Sequence, residues 1–98
     1  MVLTKEEAFD LTVQAYKWCR KHDAGTGSAR ILCSVILQCY NENRFQVAEL
    51  ASIGSLDTPQ YEMMLGIIAL RSWMEPHQTI IDGAAITEAL AKKFGYIE

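Results

Sequence analysis

Two nearly unbroken apolar runs constrain this chain more than any other feature. They are Ile31-Leu32-Cys33-Ser34-Val35-Ile36-Leu37 and Met63-Met64-Leu65-Gly66-Ile67-Ile68-Ala69-Leu70. Each is too long for an ordinary strand and too short to span a bilayer, which takes about 20 apolar residues. A helix that is apolar around its circumference must be covered on most sides. The runs therefore predict two helices at the heart of one core. With 98 residues, the chain fits a single domain over residues 1–98. The expected fold is all-α, with four main helices plus one short helix. A minimal two-strand ribbon pairing residues near Val47 and Ile80 is compatible with this pattern.

Punctuation around the runs supports that reading. Thr4 and Glu7 have capping-box spacing, and Leu3 is placed to staple onto Ala8. Ala8, Leu11, Thr12, Ala15, Trp18 and Cys19 then recur at helical spacing, opposite a polar stripe of Asp10, Gln14, Lys17 and Lys21. Asp23-Ala24-Gly25-Thr26-Gly27 breaks this helix. A second runs from about Thr26 or Ser28 to Tyr40, with Arg30, Ser34 and Gln38 as its one polar line. Val47 to Ile53 suits a two-turn helix with Val47, Leu50 and Ile53 inward, although Phe45-Gln46-Val47 also suits an extended piece. Asp57-Thr58-Pro59-Gln60 starts a helix to about Trp73, with Gln60 placed to complete a capping box with Asp57. Its Gly66 costs about 1 kcal/mol relative to Ala, which a close helix neighbour, the second helix, would offset. The last helix spans about Ala84 to Phe94, with Ile86, Leu90 and Phe94 inward and Gly95 as its stop. The sequence leaves residues 44–56 and 75–83 open in conformation.

Charge narrows the partner classes. Nine Lys and Arg stand against twelve Asp and Glu, a net charge of -3. Non-specific DNA affinity comes from neutralising phosphates, so nucleic acid is disfavoured. Lys17, Arg20, Lys21, Lys92 and Lys93 read as cations complementing helix C-terminal dipoles. The cysteines, Cys19, Cys33 and Cys39, are odd in number. With no secretory signal and no membrane-spanning run, they predict reduced thiols and a cytoplasmic location.

Catalytic and ligand signatures are sparse. Cys19-Arg20-Lys21-His22 is a C-x-x-H, but Cys33 and Cys39 fall on different faces of one helix, so neither metal nor cofactor is expected. No G-x-S-x-G occurs, His22 and His77 lie far apart, and no catalytic residue is assigned. Gly25-Thr26-Gly27-Ser28-Ala29-Arg30 lacks the lysine and spacing of a phosphate loop and reads as a glycine turn. Val47 to Ile53 followed by Asp57 to Arg71 has the outline of a helix-turn-helix. A recognition helix needs base-reading side chains in its first half, and here Thr58-Pro59-Gln60-Tyr61-Glu62-Met63-Met64 offers one amide and a repelling Glu62. Arg30, Asp57, Glu75 and His77 stand as polar residues in apolar surroundings. They are the candidate binding or structural residues, with Asp57 the expected acceptor for a buried Arg30.

Gly27-Ser28-Ala29-Arg30, Leu37, Tyr40-Asn41, Arg44-Phe45, Leu50 and Leu56-Asp57 follow a characteristic spacing. Glu75-x-His77, Asp82-Gly83 and Ala89-Leu90-Ala91-Lys92 continue it. This pattern, over about Asp23 to Gly95, resembles a domain-of-unknown-function family of short proteins from proteobacterial plasmids, integrative elements and phages. The chain departs from it at Pro76 and at Ala48-Glu49, where an acidic cap is expected. The resemblance implies an origin in a mobile genetic element. The resulting expectation is a non-enzymatic accessory protein that binds another protein, with inhibition of a host defence system as one concrete form. A homodimer stays open. The alternative is a small helix-turn-helix-like DNA-associated regulator. A clustered exposed apolar patch would favour the first, and a basic face around the helix from Asp57 the second.

Overall fold

The capping box forms as its spacing predicts. Glu7 N donates to Thr4 Oγ1 at 3.1 Å, and Thr4 N donates to Glu7 Oε1 at 3.0 Å. Hydrogen bonding from Thr4, its backbone N–H first, holds the Glu7 carboxyl below its ordinary value. Helix α1 then spans Lys5–Lys21 and buries Ala8, Thr12, Ala15, Tyr16 and Cys19. Most of these side chains are small, so a neighbouring backbone can come close. Buried Thr12 satisfies its hydroxyl by donating to the Ala8 carbonyl at 2.7 Å.

The computed structural model describes residues 3–40, 50–73 and 84–97, and among these the structure is all-α with no strand. The expected ribbon near Val47 and Ile80 lies outside the described residues. Helix α2, Gly27–Tyr40, is the central element and packs against every other described helix. Ile31 through Leu37 are all buried, Ser34 included. Ser34 therefore does not extend a wet line from Arg30. Its hydroxyl donates to the Ile31 carbonyl at 2.6 Å instead.

A 3-10 helix, Leu50–Ser55, replaces the end of the expected two-turn α-helix, and residues 47–49 lie outside the described set. Helix α3, Thr58–Leu70, follows with Asp57 at its N-cap and ends at Leu70, short of Trp73. The Asp57 side chain makes no capping bond and Gln60 is buried, so the expected Asp57–Gln60 box does not form. Gly66 does have the close neighbour its position requires, but that neighbour is α1. A Cβ built on Gly66 would collide with Leu11 Cβ and lie 3.3 Å from the Ala8 carbonyl oxygen. The small-residue face of α1 makes this approach possible, and among the described helices α1 with α3 is the most extensive pairing.

Helix α4, Ala84–Lys93, places Leu90 and Phe94 in the core as expected, while the Ile86 side chain lies outside the described set. Gly95, at φ 81°, turns the chain after it. Tyr96 N donates to Ala91 O at 2.8 Å and Gly95 N to Lys92 O at 3.2 Å, the bond pair of a Schellman ending. Lys93 reaches back to α1, donating to the Cys19 and Arg20 carbonyls at 2.7 and 3.1 Å. It thus complements a helix C-terminus, though that of another helix. The radius of gyration, 12.1 Å, fits a single compact unit of this length, for which about 13 Å is typical.

Candidate functional site

Of the candidate residues, Arg30 and Asp57 are described, and the expected pair between them does not form. Arg30 is exposed rather than buried. Its Nη1 donates to the Phe94 carbonyl at 3.2 Å, and its guanidinium lies 5.2 Å from the Tyr96 ring centroid. Asp57 stays at the α3 N-cap, so the acceptor seen for Arg30 is a backbone carbonyl at the end of α4. Arg30 thereby ties α2 to the C-terminal segment. Glu75 and His77 lie outside the described residues.

The thiols sit within the fold. Cys19 and Cys33 are buried, with Sγ at 3.4 Å from Ala29 O and 3.8 Å from Leu90 O. Burial pushes both thiols up, Cys33 to about 12, which suppresses the nucleophilic thiolate. Cys39 is half-buried. His22 packs on Trp18, ring centroids 4.0 Å apart. Among the described residues no three His, Cys, Asp or Glu side chains group as metal ligands. The glycine turn carries its own anion. Asp23 Oδ1 accepts from Gly25 N at 3.0 Å and from the Thr26 hydroxyl at 3.3 Å. Ser28 Oγ accepts from Trp18 Nε1 at 3.1 Å.

The distinctive surface lies on α3. Tyr61, Ile68 and Trp73 are 41%, 47% and 37% exposed, large apolar side chains that the fold leaves in water. Tyr61, Leu65 and Ile68 fall within about 60° of one another on a helix of 3.6 residues per turn. Leu65 is half-buried, so the three form a continuous stripe. The rest of the buried circumference holds Met63, Met64, Gly66, Ile67 and Leu70 in the core.

Carboxylates line one edge of this stripe. Exposed Glu62 lies between it and the Gly66 line that meets α1. There a shallow hollow of about 300 Å³ is lined by Leu3, Glu7, Asp10, Leu11 and Glu62. A second open hollow, of about 460 Å³, shares Asp10 and adds Lys5, Glu6 and Phe9. The face therefore combines an apolar ridge with a flank on which acidic groups outnumber basic ones.

Sequence reasoning missed this stripe because residues 63–70 are almost uniformly apolar. A run without polar punctuation carries no phase to show which side meets solvent. The flanking pair Tyr61-Glu62 was the available signal, since Glu62 marks a wet direction. No family model, curated protein or solved structure matches the chain.

Proposed function

We propose that this chain is a non-enzymatic interaction protein that acts by binding another protein through the outer face of α3. The observation that carries the reading is the exposed Tyr61–Leu65–Ile68 stripe, with exposed Trp73 three residues beyond the end of its helix. Exposed aromatic and aliphatic groups that cluster, rather than scatter, are typical of docking surfaces. The buried, high-pKa thiols support a role without nucleophilic chemistry. The resemblance over about Asp23 to Gly95 motivates placing this protein in a mobile genetic element, and the odd set of three cysteines motivates a cytoplasmic location. Inhibition of a host defence system is the concrete form of that proposal.

The DNA-regulator alternative has less support. Gln60, the one base-reading amide in the first half of α3, is buried, and the exposed side chains there include Asp57 and Glu62.

Affinity capture from the native host, read by mass spectrometry, tests the interaction reading when parent and Ile68→Ser are compared. Ile68 is exposed, so the substitution should leave the fold intact, which circular dichroism checks. The expected result is a protein held by the parent, lost with Ile68→Ser, and bound again when both components are purified. Identical captures by parent, Ile68→Ser and Tyr61→Ser would sink the reading.

A further inference from the structure

We infer that the partner element for this face is a basic amphipathic helix of another protein. The inference deepens the interaction reading and rests on it. The ridge of Tyr61, Leu65 and Ile68 matches the apolar side of a single helix, whose anchors repeat at three- and four-residue steps. Beside that ridge, Glu62 leads into the hollow that contains Glu7 and Asp10, with Leu3 and Leu11 as its apolar lining. Glu6 lines the neighbouring hollow that shares Asp10, and Lys5 is the one cation lining either hollow among the described residues. A helix laid along α3 with its apolar side on the ridge would carry its flanking side chains over these carboxylates. Lys or Arg at those positions meets opposite charge, whereas Asp or Glu meets repulsion.

The same charges argue against the other occupants. An anionic lipid surface or a nucleic-acid backbone would bring phosphate against Glu62, Asp10 and Glu7. A second copy joined about a two-fold axis would present the same acidic flank to itself. The apolar ridge supplies affinity, and the carboxylates select orientation and partner.

A helical peptide library tests this. The peptides share a fixed Leu and Ala face, and their polar positions are drawn equally from Lys, Glu, Gln and Ser. After selection against the full chain, binding is measured by fluorescence anisotropy. The expected winners are enriched in Lys on one flank. Ile68→Ser should weaken them about tenfold. Glu62→Gln should weaken them about two- to fivefold and flatten their salt dependence. Glu88→Gln, an equal change of charge on α4, should do neither. Winners that need Ile68 but show no Lys preference would overturn the basic partner and leave the interaction reading standing. Winners indifferent to Ile68→Ser, or none above background, would overturn both. A parent dimer in sedimentation that Ile68→Ser abolishes would assign the face to a second copy instead.

Discussion

Arg30 shows what a side chain can do when it reaches the backbone of a distant element. It holds the Phe94 carbonyl and lies over Tyr96 while remaining exposed. Arg30→Met should therefore cost about 1 kcal/mol, the scale of one hydrogen bond, rather than the about 3–5 kcal/mol of a broken buried ion pair. Urea melts of the two chains decide between these values. A loss of partner binding with unchanged melting would instead place Arg30 in a binding site. Cys33 makes a different kind of statement. Its folded thiol titrates near 12 against an ordinary value of 9.0, because burial disfavours the thiolate. From about pH 9 upward the unfolded chain gives up this proton and the folded chain keeps it, so stability falls as pH rises through that window. The melting temperature of Cys33→Ala should decline less steeply there than that of the parent, and parallel declines would refute the assignment. The sequence identified Arg30 and the cysteines as residues of interest. It could not pair Arg30 or Lys93, because carbonyl acceptors in distant elements carry no residue-type signal.

At the scale of elements, Gly66 is the most constrained position. In an isolated helix, Gly→Ala would stabilise by about 1 kcal/mol. Here the added methyl meets Leu11 Cβ, and neither helix can yield without shifting its backbone. Overpacking of this kind costs about 1–3 kcal/mol. Gly66→Ala should thus lower the melting temperature, and a rise would show that α1 and α3 do not approach this closely. The helices themselves were legible because their ends carry local chemistry, such as the Thr4–Glu7 box and the Gly95 turn. The neighbour of Gly66 was not, because a glycine states that something comes close without stating what. The segment 50–55 was only partly legible: its Ile53-Gly54-Ser55 ending stops a helix but does not distinguish a 3-10 turn from an α turn. The region from Glu75 to His77 lies outside the described residues.

For the whole molecule, charge sets the expectation for nucleic acid. With net charge -3 and an acidic flank beside α3, the chain should show no binding to duplex DNA at physiological salt up to about 10 μM protein, the tight end of the ordinary non-specific range being about 1 μM. An anisotropy titration checks this. Saturable binding that weakens steeply with added salt would promote the regulator reading. The stripe of α3 and the acidic groups of α1 emerge as one surface only after folding, which is why neither segment announced it alone. The reach of Lys93 back to α1 has a consequence for how this protein is made. Domains form as the chain is synthesised, N-terminal parts first. Yet the carbonyls that finish α1, the acceptor beside Cys33 and the acceptor of Arg30 all wait for residues 90–94. Phe94 also seals the core around α2. A nascent chain must therefore carry α2 with an uncovered apolar side until translation passes Phe94. Over that interval the uncovered side of α2 is the surface through which partly made chains would associate.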